Sequence, residues 1–246
     1  MKTESVRRQG FTLIELLPLL MVIGIQAAVL FPGIQGVTRS AKKNSALNKL
    51  RSIGQGYMNW AQGGKVMTRT GTWTAAGNVA TKTSEYAANL AAGAALDSGE
   101  LWFVDGDVML ESNAPTMIMP KNVVLGSGSS AEIDPLFTDS IREATGTSWT
   151  VYADTSSGVV GSVYVPLAWT RGLHVSGLWA EADGTVNGSV WGSEGGHIVY
   201  GDGHVSWTSS TSVDGDNFFT NKAGQPTANW KQSRGVPATA QALPQQ

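Results

Sequence analysis

The apolar positions of this chain fall into three regimes. From Phe11 to Phe31 they are nearly continuous (FTLIELLPLLMVIGIQAAVLF), with Glu15 and Gln26 as the polar exceptions. From Ile34 to Ala61 they recur at helical spacing: Ile34, Val37, Ala41, Leu47, Leu50, Ile53, Tyr57, then Trp60 or Ala61. Arg39, Lys42, Lys43, Lys49 and Arg51 lie mostly off that stripe. Beyond Gly63-Gly64 the apolar residues come in short runs broken by Gly, Asp and Ser. At about 1.5 Å per residue the first run is long enough to cross a hydrocarbon layer of roughly 30 Å. The first two regimes together predict one continuous or Pro-bent helix, half in a membrane and half packed on a sheet.

The third regime predicts the rest of an α+β fold. Ser84 begins a short helix over Glu85–Leu96. Leu101–Val104 and Val108–Leu110 read as strands around the turn Asp105-Gly106-Asp107, and Met117–Leu125 as a strand that Pro120 confines to an edge. Asp134–Ala144 reads as a helix. Further strands are expected at Trp149–Ala153, Val159–Trp169, Gly188–Trp191, His197–Tyr200 and Val205–Thr208. The segment from Ser233, with two Pro and a Gln pair, reads as disordered. The expected fold is a long N-terminal helix packed on an antiparallel β-sheet head. Its boundaries are 1–10, a polar segment; 11–31, the membrane helix; 32–62, the amphipathic helix; 63–232, the head; and 233–246, the tail.

Glu15 complicates a plain membrane anchor. A carboxylate inside an apolar span costs about 2.5–3.5 kcal/mol on insertion scales and needs a partner. A secretory signal peptide would have a shorter apolar core and a small-x-small cleavage site, which Gln26-Ala27-Ala28-Val29-Leu30 does not supply. Arg7-Arg8-Gln9-Gly10 followed by Phe11-Thr12-Leu13-Ile14-Glu15 resembles the cleavage site of type IV pilins and type II secretion pseudopilins. The resemblance implies that residues 1–10 are a leader removed by a prepilin peptidase after Gly10, and that Phe11 is the new, N-methylated terminus. It also implies that Glu15 pairs with the terminal ammonium of a neighbouring subunit in a filament, which offsets the burial of both charges. Pro32 falls where many members carry a helix-bending Pro. Pro18 departs from the pattern: it removes an N–H that would bond the Ile14 carbonyl and crowds that turn.

Near the other end, Asp202-Gly203 is a preferred pair for a two-residue type I′ hairpin. That turn pairs Tyr200 with Val205 and Ile198 with Trp207, placing these four on one face and His197, Val199, His204 and Ser206 on the other. The stretch also resembles the C-terminal signature of a group of prepilin-like proteins, a His, nine residues and Asp-Gly. Asp202, Gly203 and His204 match its end, whereas Gly192 stands at the His position. Pro166 to Leu173 (PLAWTRGL) resembles the same group.

Composition narrows the chemistry. Seventeen Lys and Arg against 19 Asp and Glu give a formal charge of −2, which offers no electrostatic case for nucleic-acid binding. No Cys occurs, so disulfides, thiolate zinc sites and Cys nucleophiles are excluded. No phosphate-binding loop, dinucleotide fingerprint or nucleophile elbow accompanies the three His. No cofactor is implied, apart from calcium at Asp214, Asp216 and Asn217, where three oxygen side chains crowd a Gly turn. Nine Trp allow an alternative reading, a membrane-tethered carbohydrate-binding module.

The expected protein is therefore a non-enzymatic pilin-like subunit of a bacterial inner membrane, single-pass, with a cytoplasmic N-terminus and a periplasmic head. Its expected partners are the prepilin peptidase, other pilin-like subunits and a secretion or pilus assembly machine. Gly10→Val should block maturation, because a branched side chain does not fit a peptidase site shaped for glycine. Intact-mass analysis should show wild type starting at N-methyl-Phe11 and the variant retaining its leader. A mature start near Val29 would contradict the cleavage assignment.

Overall fold

The computed structural model describes residues 13–154, 159–213, 216–217, 219–238 and 240–245, with backbone alone at 29–33, 35, 212–213 and 216–217. The chain divides into two compact units between Lys43 and Asn44. One helix, α1 (Leu13–Trp60), runs through both, uninterrupted at Pro18 and Pro32. Among the described residues no helix is long and apolar enough to cross a membrane. The expected span over 11–31 reaches beyond them, since Phe11, Thr12 and the side chains of 29–31 are not described.

The amphipathic stripe is packed over only part of its expected length. Ala46, Leu50, Ile53, Tyr57 and Trp60 follow a three-four spacing and are at most 2% exposed. Ile34 and Val37 are instead 59% and 71% exposed. Gly54 lets the helix backbone come close to Val199. The second part of α1 is thereby packed into the core of the head and meets the sheet at Val199.

The sheet has five strands: β1 (Trp149–Ala153), β2 (Pro166–Thr170), β3 (Gly196–Tyr200), β4 (Val205–Thr208) and β5 (Gln241–Ala242). Their order is β5-β1-β2-β3-β4 and every pairing is antiparallel. β1 and β4 coincide with the expected strands, whereas β2 begins late and ends at Thr170. Two expected strands are helical. Gly99–Trp102 is a 3₁₀ turn, and Val108–Asn113 is a helix, α3, because the Asp107 carboxylate accepts from the Met109 N–H and caps it. Within Met117–Leu125 only Val124–Leu125 is strand, paired with Glu132–Ile133. Gly188–Trp191 forms no strand. Helix α2 (Thr83–Ala94) starts slightly earlier than expected, and α4 (Pro135–Ala144) is capped by the Asp134 carboxylate.

The expected disordered tail is a further correction. Leu243 is 3% exposed and donates its N–H to the Val151 carbonyl. The Pro244 carbonyl accepts from the Thr83 N–H and hydroxyl at the start of α2. The Gln245 side chain accepts from the Thr147 N–H and hydroxyl. Val236 and Ala240 are buried with Leu243, and these apolar anchors and polar partners order a segment whose composition suggests none.

Beneath the sheet ends lies a buried ion pair. Arg171 donates two hydrogen bonds to Asp107, at 2.8 and 3.0 Å, and others to the Gly188 and Thr147 carbonyls. Ser148 donates to the same carboxylate at 2.7 Å. Both charged side chains are almost wholly buried, at 3% and 0% exposed. Removing one partner strands the other charge at a cost of about 3–5 kcal/mol. Urea unfolding should therefore show Arg171→Met and Asp107→Leu each strongly destabilised, and the double variant less so than their sum. Additive losses would show that the pair is not coupled.

Candidate functional site

The signature residues sit at the tip of the β3–β4 hairpin, in a register different from the expected one. Val199 pairs with Val205, Ile198 with Ser206 and His197 with Trp207. The Gly203 N–H donates to the Tyr200 carbonyl, and the Tyr200 N–H to that of His204. The loop is thus Gly201-Asp202-Gly203, three residues rather than two, with Gly203 at φ +87° in the left-handed position that closes such loops. The one-residue shift turns every β4 side chain to the opposite face. His197 and Trp207 become neighbours, their rings edge-on at 4.8 Å, while Tyr200 and His204 stack nearly parallel at 4.3 Å.

At the tip the three signature residues act together. The Asp202 carboxylate accepts from the His204 N–H at 3.1 Å, and the same oxygen lies 2.5 Å from Nδ1 of the ring. A carboxylate only accepts, so Nδ1 carries the proton. Burial raises the Asp202 pKa, but the His204 N–H and ring outweigh it and hold the carboxyl below its usual range. Met58 of α1 packs on Gly203, so the tip touches the helix. Met58 escapes sequence reasoning because its partner on the hairpin follows from the fold, and Tyr200 takes a partner other than the expected one because the register differs.

Gly192, ten residues before Asp202, occupies a backbone conformation that favours glycine. Gly192 has φ +68°, a conformation that L side chains rarely adopt, and lies in a 3₁₀ turn. Its carbonyl accepts from the Ser189 hydroxyl. His197, by contrast, is buried, and its N–H donates to the Thr170 hydroxyl.

Gly10, Phe11 and Asp214 lie outside the described residues. Asp216–Asn217 forms a two-residue strand paired with Ser212–Val213. Among the described residues no cluster of three His, Cys, Asp or Glu is placed to hold a metal ion. Glu15 lies exposed in the first turn of α1. Seven of the nine Trp are buried, leaving Trp73 and Trp207 half-buried. In comparisons with known proteins, no family model, curated protein or solved structure matches the chain.

A lowered carboxyl pKa contributes stability at pH values above its unfolded value, near 3.9, and loses it as pH falls through the native pKa. Acidification should loosen the tip, read as a lower hydrogen-exchange protection factor of the His204 N–H (the intrinsic rate at each pH divided by the observed rate) below about pH 4. Asp202→Asn keeps an acceptor that cannot titrate and should flatten that dependence. An unchanged profile would show that another group controls the tip.

Proposed function

We propose that this chain is a pilin-like structural subunit, cleaved after Gly10 by a prepilin peptidase and polymerised through α1 into a pseudopilus or pilus. The observation that carries this reading is the run Arg7 to Glu15, a cleavage and methylation pattern set directly before an apolar helix. Consistent with it, the side chains Leu13, Ile14, Leu17, Leu20, Met21 and Ile25 are 58–88% exposed. A contiguous exposed apolar surface of this kind marks a membrane or partner contact. Between Glu15 and Arg39 the helix carries no charged residue at all. Glu15 then has a defined role, the counter-charge of a neighbour's terminal ammonium in an otherwise apolar core.

In this reading the membrane span covers 11–31, the N-terminus is cytoplasmic before cleavage and the head is periplasmic. The partners are the peptidase, other pilin-like subunits and an assembly machine of the inner membrane. The chain carries out no reaction. An α+β head in which a helix packs on an antiparallel sheet is compatible with this role. A carbohydrate-binding head would need exposed Trp faces, and the burial of seven Trp argues against it.

The test is Glu15→Val in cells with the cognate machinery. In a simple anchor the change relieves a burden. In a filament it breaks one half of a buried pair, at about 3–5 kcal/mol. Membrane levels and cleavage at Gly10 should hold while the sheared filament fraction falls by at least tenfold, as about 1.4 kcal/mol already amounts to that factor. Wild-type incorporation of the variant would refute charge pairing at this position.

A further inference from the structure

From Asn217 to Gln246 the chain holds Lys222, Lys231 and Arg234 and no Asp or Glu. Lys222 lies in the turn that follows the strand pair Phe219–Thr220 and Pro226–Thr227 connects across, and Lys231 in the 3₁₀ turn Trp230–Gln232. Three contacts bring these two turns together. The Thr227 hydroxyl donates to Oε1 of Gln232, the Arg234 N–H donates to the Thr220 carbonyl, and Asn221 bridges to Ser233. An open groove of about 440 Å³ is lined from both turns, with Asn221, Lys222, Lys231 and Gln232 as its polar side chains and buried Val236 in its wall.

Those four side chains have donors to spare. Oδ1 of Asn221 accepts from the Ala223 and Gln225 N–H groups, both at 2.9 Å, and Oε1 of Gln232 accepts from Thr227 at 2.9 Å. A side-chain amide has one acceptor oxygen and one nitrogen carrying two donors. With both oxygens held inside the turns, each amide nitrogen is left without an acceptor among the described residues. Neither lysine forms an ion pair among them. The Lys231 ammonium instead lies 5.6 Å from the centre of the buried Trp230 ring.

Two ammoniums and two amide nitrogens on one groove, with no carboxylate beside them, suit an anion with several acceptor oxygens. A carboxylate carries one charge and is best matched by the planar fork of an Arg, which is not among the lining residues. A terminal phosphate carries about −1.5 to −2 near neutral pH and offers three acceptor oxygens. We infer that this groove binds a terminal phosphate group, free or carried on a larger molecule, held by Lys222 and Lys231 and oriented by the amides of Asn221 and Gln232. The site belongs to the head and does not rest on the filament reading.

The test is a titration of the full chain in non-ionic detergent with inorganic phosphate at low ionic strength, followed by NMR of the Lys222 and Lys231 amides and the Trp230 indole. Saturable shifts are expected at these groups, and dimethyl phosphate, a monoanion, should bind several-fold more weakly. Lys222→Met/Lys231→Met should weaken phosphate binding at least about tenfold. Both lysines are exposed, so the variant should melt with wild type. Lys222→Arg/Lys231→Arg should restore most of the affinity, and Lys121→Met, outside the groove, should leave it unchanged. In nanodiscs, the same shifts on adding phosphatidic acid to phosphatidylcholine would trace the phosphate to a lipid headgroup, and shifts with added phosphate alone would trace it to a soluble ligand. Shifts that never saturate, that persist in the double Met variant or that acetate reproduces equally would show an adventitious ion only and overturn the site.

Discussion

One guanidinium organises the head. Arg171 lies directly after β2, and its partners come from three separate places: Asp107 at the cap of α3, Thr147 just before β1, and Gly188 in the loop that precedes β3. Ser148 adds a bond to the same carboxylate and accepts from the Val104 N–H. Removing two charges from water is costly, and the arrangement is tolerable because the carboxylate and the guanidinium are both densely hydrogen-bonded. The dependence runs outward from there. Gln245 holds Thr147, Leu243 extends the sheet beyond β1, and Pro244 meets α2, so the last described residues are tied to the same centre. Geometry at the sheet ends is thereby set by a polar network, and the apolar core fills the space between.

Helices were legible where long periodic patterns ran uninterrupted, and β1 and β4 where Val, Trp and Thr clustered between turns. What escaped the sequence was non-local. The hairpin register turns on Gly201, whose N–H donates to the Val165 carbonyl and whose carbonyl accepts from the Gly161 N–H. That engagement from a neighbouring loop favours a three-residue connection over the local Asp-Gly preference. Short apolar runs such as 101–104 and 108–110 look alike as strand or helix, and an Asp cap decided the second. In the tail, Val236, Ala240, Leu243 and Gln245 find partners that composition cannot announce. The polar tip of the candidate site was legible as residues; its contact with Met58 was not.

The functional reading joins two features of a single helix. Over its first part α1 presents apolar side chains outward, and from Ala46 it turns an apolar face inward against the sheet. An element with both properties suits a subunit that contributes one stretch of helix to an assembly and another to its own core. Hydrophobic burial of the exposed apolar stretch would then drive the association.

The most direct test of this account is helical reconstruction of filaments sheared from cells that express the chain with its assembly machinery. The account predicts a continuous fibre with the α1 segments from residue 11 to about residue 31 bundled on its axis, and heads outside. Discrete membrane-bound monomers with no fibre, or a fibre whose axis is built from heads while the apolar helices stay in lipid, would contradict it.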